Sequence, residues 1–196
     1  MEKLDGVNFD ELKELLIRRH GEKAGPAILA IDGRCASGKS TLGERLSREW
    51  DADLFHMDDF YLQPHQRTEE RLSEPGGNVD RERFLEEVLL PLSRGEAVSY
   101  RRFDCGTFAF EPLRLIRPGA IAVVEGSYSC HPELREFYDM RVFLDIDPKT
   151  QRERILQRNG PEVLQRFIDR WIPLEENYFS GCAVRDCCDW IIRNDK

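Results

Sequence analysis

The chain lacks long apolar runs, an excess of positive charge and any abundance of glycine or proline. Its longest uninterrupted apolar stretches are a handful of residues, against the roughly 20 that cross a bilayer, so no membrane span is predicted. The 14 glycines and 10 prolines among 196 residues are too few for a low-complexity or collagenous chain. The 29 basic residues are outnumbered by 37 acidic ones, for a net charge of −8. This balance argues against a nucleic-acid partner, because such binding neutralises phosphates with a basic face.

The sequence also lacks the features of a secreted protein. Its start, Met1 to Gly6, does not show the basic-then-apolar order of a signal peptide. A chain of this length with 40% hydrophobic residues builds a core without cross-links, and adjacent cysteines fit poorly around one tetrahedral metal ion. We therefore expect a single cytoplasmic domain over residues 1–196. Its six cysteines are expected to be reduced thiols: Cys35, Cys105, Cys130, Cys182, Cys187 and Cys188.

Short apolar runs alternate with amphipathic helical patterns along the chain. The apolar runs predict strands at residues 26–32, 53–57, 121–125, 141–146 and 189–193. The helical patterns predict helices at residues 9–20 (within an N-terminal segment 1–25), 39–48, 80–92, 148–158 and 161–171. Strands that alternate with helices favour an α/β fold, in which a parallel sheet of about five strands carries helices on both faces.

A charged segment at residues 62–79 interrupts this alternation. It is rich in Arg and Glu and then breaks at Pro75-Gly76-Gly77. Loops carry function on α/β scaffolds. The segment is therefore either an ordinary exposed loop or a mobile loop on the substrate side of the domain, and the sequence leaves both interpretations open.

Residues 33–40, Gly-Arg-Cys-Ala-Ser-Gly-Lys-Ser, match the phosphate-binding pattern G-x-x-x-x-G-K-[ST] in full. Phosphate oxygens must be met by several converging backbone N–H groups, which a tight turn of small residues permits. The positive end of the helix that follows adds to the attraction. ATP is therefore the expected cofactor, and its predicted contacts are Gly33, Ala36, Ser37, Gly38, Lys39, Ser40 and Thr41.

A magnesium site is predicted beside this loop. The Ser40 hydroxyl suits Mg²⁺, and the ion also requires a carboxylate at the end of a neighbouring strand. The apolar run at residues 121–124 ends in Glu125, and Gly126 then lets the chain turn. Ser40 and Glu125 are therefore the predicted metal ligands, although a strand-terminal Glu of no special function fits the same pattern.

The sequence Asp58-Asp59-Phe60-Tyr61 follows the second predicted strand, at the end where parallel sheets bind ligands. A kinase for a small molecule needs a carboxylate that accepts the proton of the acceptor hydroxyl. A guanine-reading Asn-Lys-x-Asp segment is absent from the sequence. The pattern favours a metabolite kinase over a GTPase, and the alternative is a surface Asp-Asp turn with core aromatics.

These elements occur together in one order: the phosphate-binding loop, Asp58 to Tyr61, Asn78-Val79-Asp80 with Phe84, and Glu125-Gly126. The combination resembles the uridine kinase family of P-loop small-molecule kinases, whose relatives act on pantothenate, phosphoribulose and nicotinamide riboside. The resemblance covers about residues 27–180 and implies the three-layer P-loop NTPase fold. It further implies that Asp58 is the catalytic base, that Tyr61 lines the nucleoside pocket and that Asp80 holds ribose hydroxyls.

The resemblance also implies an arginine-rich lid helix, here residues 148–160. Arg154 and Arg158 are four residues apart and so share a helix face. With Lys39, they would stabilise the transferring phosphoryl group, since guanidinium forks grip phosphate oxygens; a solvated basic face is the alternative. Arg102 lies in a segment that resembles the base-contacting hairpin, and it either binds an anionic substrate group or faces solvent.

The sequence therefore predicts ATP-dependent phosphorylation of a primary hydroxyl of a nucleoside, as in uridine or cytidine kinases, with a small molecule as partner. A kinase for another hydroxylated metabolite, such as nicotinamide riboside or pantothenate, is the first alternative. A regulatory nucleotide-binding protein is the second. Family members are often oligomers, so the resemblance also raises the prospect of a homo-oligomer.

Overall fold

Nine strands are present in the computed structural model, which describes residues 8–195. The predicted absence of a signal peptide concerns Met1 to Gly6, which lie outside the described residues. The strands are β1 (Ala27–Gly33), β2 (Asp53–His56), β3 (Val98–Tyr100), β4 (Phe103–Asp104), β5 (Ala109–Phe110), β6 (Arg114–Ile116), β7 (Ile121–Glu125), β8 (Met140–Asp145) and β9 (Trp190–Arg193). Five of them form one sheet in the order β2-β7-β1-β8-β9, and every neighbouring pair is parallel.

Helices cover both faces of this sheet. They are α1 (Phe9–His20), α2 (Lys39–Trp50), α3 (Glu69–Ser73), α4 (Arg81–Phe84), α5 (Leu90–Ser93), α6 (Pro148–Asn159), α7 (Pro161–Arg166), α8 (Ile172–Gly181) and α9 (Val184–Cys187). A π-helical turn at Leu85–Leu89 joins α4 to α5, and another at Phe167–Trp171 joins α7 to α8. Single 3₁₀ turns lie at Met57–Phe60, Pro64–Gln66 and Arg135–Phe137.

Strand β1 lies at the centre of the sheet and is buried at all seven positions. Its side chains alternate between two cores, as the period of a strand requires. Leu29 and Ile31 pack in the core under α1 and α2, whereas Ile28 and Ala30 pack in the core that contains Phe84 and the helix around it. Burial on both faces explains why this run is apolar at nearly every position.

Side chains cap the starts of two of the longer helices. The Asn8 side chain accepts a hydrogen bond from the Asp10 N–H at the start of α1. The Asp147 side chain caps α6 by accepting from the N–H groups of Lys149 and Thr150, and Pro148 occupies the first turn. Within residues 8–195, the model contains no helix long and apolar enough to span a membrane.

The predicted three-layer α/β fold with a five-stranded parallel sheet is confirmed. Several regions differ in detail from the sequence predictions, and two of them bear on the site. The helix expected at residues 80–92 is a continuous helical segment with a π turn inside it, and residues 62–79 contain the 3₁₀ turn Pro64–Gln66 and the short helix α3. Their mobility stays a prediction.

Candidate active site

The phosphate-binding loop connects β1 to α2. Its backbone takes left-handed angles at Ala36 (φ 60°) and Gly38 (φ 96°), and α2 begins directly afterwards at Lys39. Among the described residues, no side chain caps this helix start, so its first N–H groups point towards the loop without a side-chain acceptor. Such N–H groups form an anion site.

Gly33 allows the loop to approach the sheet closely. A Cβ atom at Gly33 would lie 2.1 Å from the Leu144 carbonyl oxygen of the neighbouring strand, and its φ of 137° is one that side chains rarely adopt. A glycine is therefore required here by both the backbone angle and the space. Its role is to shape the loop, as the motif predicts.

Lys39 is buried, and its ammonium group lies against the loop. The Lys39 Nζ donates to the Gly33 carbonyl oxygen at 2.8 Å and to the Arg34 carbonyl oxygen at 2.9 Å. Two further side chains hold the outer part of the loop: Arg154 donates to the Ala36 carbonyl at 3.2 Å, and Asn194 donates to the Ser37 carbonyl at 2.8 Å. The predicted lid helix α6 thus reaches the loop through Arg154.

A cavity of about 1280 Å³ opens in front of this loop. That volume exceeds the roughly 300–1,000 Å³ of typical small-ligand pockets and is sufficient for a nucleotide and a second small molecule. The structure brings ten of the predicted site residues together in its wall: Ala36, Gly38, Lys39, Ser40, Thr41, Asp58, Tyr61, Glu125, Arg154 and Arg158.

Ser40, Glu125 and His56 form a hydrogen-bonded chain at the edge of the cavity. The Ser40 hydroxyl donates to Glu125 Oε2 at 3.2 Å, and His56 Nδ1 donates to Glu125 Oε1 at 2.5 Å. Register explains the second contact, because His56 and Glu125 are paired on adjacent strands. The hydrogen bond to Glu125 raises the pKa of His56. Gly43 leaves room for the carboxylate, since a Cβ atom there would lie 3.1 Å from Glu125 Cγ.

The two adjacent aspartates have different surroundings. Asp58 opens into the cavity, and its Oδ1 accepts a hydrogen bond from the Tyr61 hydroxyl at 3.0 Å. The protein around Asp58 reduces its solvation and raises the pKa of its carboxyl group, an effect that the Lys39 charge opposes. Asp59 is instead buried on the other side of the turn, where it accepts from the Tyr100 hydroxyl at 3.1 Å and from Arg114 at 3.0 Å.

Two predicted substrate residues are not among those that line the cavity. Asp80 caps α4: its Oδ1 accepts from the Arg83 N–H, and its Oδ2 accepts from the Gln66 amide at 2.8 Å. Arg102 lies 3.4 Å from Asp59 and 3.4 Å from Glu111. Their proposed contacts with substrate stay predictions.

Sequence reasoning missed Glu175 in α8. Its carboxylate is buried yet borders the cavity: Oε2 accepts from the Cys35 N–H at 2.9 Å, and Oε1 accepts from the Ser127 hydroxyl at 2.7 Å. The first contact joins residues 140 positions apart, so no local pattern could have indicated it. The cavity wall also contains several residues that the sequence did not single out for it: Arg67, Asn78, Cys105, Tyr128 and Arg170.

All six cysteines are free thiols. Burial raises the pKa of Cys35, which lies inside the phosphate-binding loop. Cys130 is buried in the core that contains Phe84, where Cys187 and Cys188 pack against that core and the Cys187 thiol donates to the Val184 carbonyl oxygen at 3.1 Å. Within residues 8–195, no cluster of three or more His, Cys, Asp or Glu side chains is arranged to hold a metal ion.

Solved kinase structures share this architecture. A structure described as a possible uridine kinase from Bacillus stearothermophilus superposes with a TM-score of 0.67, covering 93% of this chain and 99% of that chain at 23% identity. D-glycerate 3-kinase from Cryptococcus neoformans superposes with a TM-score of 0.59, covering 90% of each chain at 15% identity. The chain therefore has the fold of these kinase structures, and its residues 33–40 match the phosphate-binding pattern in full.

Curated proteins with similar sequences also have names that include the word kinase. Uridine kinase-like protein 4 of Arabidopsis thaliana is 27% identical over 169 residues, which are 81% of this chain and 35% of that protein. Uridine kinase of Clostridium tetani is 27% identical over 72% of this chain and 70% of its own length, and pantothenate kinase of Cutibacterium acnes is 26% identical over 89% and 57%. No protein-family model matches the chain. The relatives confirm the resemblance to the uridine kinase family of P-loop kinases.

Proposed function

We propose that the protein transfers the γ-phosphoryl group of ATP to a hydroxyl group of a small molecule, with a primary hydroxyl of a nucleoside as the acceptor that the family resemblance favours. One observation carries the proposal: Asp58 and the loop lysine Lys39 line the same cavity. A protein that only binds and hydrolyses a nucleotide does not need an acceptor base. This placement therefore favours the kinase over a regulatory nucleotide-binding protein.

The residues present fit ATP and Mg²⁺. The left-handed turn at Ala36 and Gly38 and the uncapped start of α2 provide N–H groups for phosphate oxygens. Ser40 and Glu125 supply the hydroxyl and carboxylate oxygens that Mg²⁺ prefers, and a site that shares the ion with substrate phosphates needs few protein ligands. When bound, ATP supplies the phosphoryl group and Mg²⁺ offsets its charge.

Asp58 would orient the acceptor and receive its proton. The Tyr61 hydroxyl holds Oδ1, which leaves Oδ2 available to the acceptor hydroxyl. The raised pKa of Asp58 brings the carboxylate closer to the range in which a general base is effective, because it then accepts a proton more readily. Asp59 does not compete for this role, since it is buried outside the cavity wall, where its Oδ2 accepts from Tyr100 and Arg114 and its Oδ1 lies 3.4 Å from Arg102.

The proposed reaction is a single transfer of the γ-phosphoryl group from ATP to the acceptor hydroxyl. The acceptor oxygen forms a bond to the γ-phosphorus, the bond from that phosphorus to the β–γ bridging oxygen breaks, ADP leaves, and the hydroxyl proton passes to Asp58. Lys39, Arg154 and Arg158 would stabilise the charge on the transferring group, since all three side chains reach the cavity. Catalysis would consist mainly of positioning and charge stabilisation.

Release of ADP tests the proposal directly. We expect slow release with ATP and Mg²⁺ alone and strong stimulation by one acceptor in a panel of uridine, cytidine, nicotinamide riboside and pantothenate. The pantothenate kinase relative supports including the last compound. Equal release with and without every acceptor in the panel, by a protein that binds ATP, would support the regulatory alternative instead.

A further inference from the structure

The charges that line the cavity differ from those of the whole chain. The chain carries −8, but cationic side chains outnumber acidic ones in the cavity wall. Among the described residues, the acids there are Asp58, Glu125 and Glu175, and the cations are Lys39, Arg45, Arg67, Arg154, Arg158 and Arg170. A cavity with this balance attracts anions. The loop lysine and the lid arginines are placed for the nucleotide phosphates, so the other cations require a separate explanation.

Arg67 contacts the chain segment that follows Asp58 and Tyr61. Its Nε donates to the Leu62 carbonyl oxygen at 2.9 Å, and Leu62 follows Tyr61, whose hydroxyl holds Asp58. Its Nη2 lies 3.5 Å from the Cys105 sulfur, and its guanidinium lies 5.8 Å from the centre of the Phe108 ring. The guanidinium is thus fixed on the acceptor side of the cavity.

Arg67 differs from the neighbouring arginines in its partners. Arg102 and Arg114 share the carboxylates of Asp59 and Glu111. Arg67 makes contacts with a carbonyl oxygen, a thiol and a ring, and in the described part of the chain no carboxylate lies within 4.0 Å of it. A guanidinium that lines a cavity without a carboxylate partner has unused donors for a ligand anion.

The aspartate that the family resemblance assigns to a ribose diol lies outside the cavity wall. Asp80 does not line the cavity, and its two oxygens are occupied by the Arg83 N–H and the Gln66 amide. Asn78 and Arg67 line the cavity instead. The acceptor side therefore presents an amide and a cation beside the Asp58 carboxylate.

We propose that the acceptor carries an anionic group, a carboxylate or a phosphate, which Arg67 binds while the acceptor hydroxyl lies at Asp58. The proposal rests on the kinase function proposed above, and for the same site it replaces the neutral nucleoside by an anionic acceptor. The planar guanidinium can donate two parallel hydrogen bonds to either anion. It would thereby place the hydroxyl at a fixed distance from the anion.

The test compares acceptors that differ in the anion. Pantothenate is paired with pantothenyl alcohol, glycerate with glycerol, and ribulose 5-phosphate with ribulose, and uridine and cytidine are included as neutral nucleosides. We expect ADP release to be stimulated by a member of the carboxylate or phosphate arm, with kcat/KM at least about tenfold above that of its neutral counterpart. The arm that responds identifies the anion.

Substitutions at Arg67 test the residue itself. Arg67→Gln should raise the KM of the anionic acceptor about 10-fold to 100-fold with little change in kcat, because it removes charge-assisted hydrogen bonds to substrate. Arg67→Lys should give an intermediate KM, since it keeps the charge and loses the fork. Arg101→Gln is the matched control: it removes an exposed arginine that does not line the cavity.

The outcomes separate the two proposals. Stimulation by uridine or cytidine and by none of the anions would refute the anionic acceptor and leave the kinase function intact. If the protein bound ATP but no acceptor in the panel stimulated ADP release, the kinase function would be refuted, and the anionic acceptor with it. If Arg67→Gln raised the KM of an anionic acceptor and of its neutral counterpart equally, Arg67 would only support the chain at Leu62, and the proposed contact would be wrong.

Discussion

Replacement of Asp58 by Asn is the sharpest test of the proposed chemistry. Asn has nearly the same shape, and its Oδ1 can still accept the hydrogen bond that the Tyr61 hydroxyl donates at 3.0 Å. The change removes the negative charge and the proton acceptor. It therefore alters the chemical step without a large change of packing, because Asp58 opens into the cavity.

The expected loss follows from the role of a positioned base. General-base catalysis contributes about 10²-fold to 10⁴-fold, and a factor of ten in rate corresponds to about 1.4 kcal/mol, so the barrier should rise by about 3–5 kcal/mol. Binding of ATP should be retained or become tighter. The carboxylate and the Lys39 ammonium attract each other across the cavity, and without this carboxylate the cavity is more positive.

The assay measures acceptor-stimulated ADP release and, separately, ATP binding by calorimetry. Asp51→Asn serves as the matched control, because Asp51 is an exposed aspartate at the end of α2 whose φ of 54° suits Asn. A turnover number for Asp58→Asn within about threefold of the wild-type value would show that another group accepts the proton, since a positioned base contributes far more than that.

Three further predictions concern the loop lysine, the loop glycine and a buried aspartate. Lys39→Ala should lower kcat by about 10²-fold to 10³-fold, and unchanged kcat and ATP affinity would contradict the role of the loop. Gly33→Ala should destabilise the fold by about 3 kcal/mol or more in a denaturant titration, because its Cβ would overlap the Leu144 carbonyl. Gly21→Ala is the control, because Gly21 has a φ of 64° but nothing lies within 4 Å of a Cβ atom there, and it should lower the unfolding free energy by only about 1 kcal/mol. Equal destabilisation by the two substitutions would show that the contact with Leu144 does not matter. Burial raises the pKa of Asp32 from 3.8 to about 6, so the native state binds the proton more tightly than the unfolded state. The unfolding free energy of the wild type, relative to that of Asp32→Asn, should therefore fall by about 3 kcal/mol between about pH 3 and pH 7. A difference that does not change with pH would refute the shift.

The central strands of the sheet can be predicted from the sequence because they are buried on both faces. A strand covered on both faces reads as a continuous apolar run, and the runs at β1 and β7 were recognised for that reason. The small antiparallel pairs β3–β6 and β4–β5 were not predicted as strands. They are two or three residues long and partly exposed, so their sequences carry no clear period.

The site was predictable where a local motif fixes the backbone. The loop at residues 33–40 is contiguous, and Asp58 follows a strand end, so both could be read from the sequence. The places of Glu175 and Arg67 in the cavity wall could not be predicted, because they depend on contacts with distant residues. Glu175 accepts from the Cys35 N–H, and Arg67 contacts the Cys105 thiol. Such contacts exist only after the chain has folded.

These distant contacts matter for the loop itself. Helix α8 holds the first half of the loop from the side: Arg34 donates to Glu176 at 2.6 Å, and the Cys35 N–H donates to Glu175 at 2.9 Å. The second half is held by Arg154 of helix α6. The geometry of the loop is therefore set jointly by two helices more than 100 residues away in sequence, so a change in α8 would alter phosphate binding without touching the loop motif.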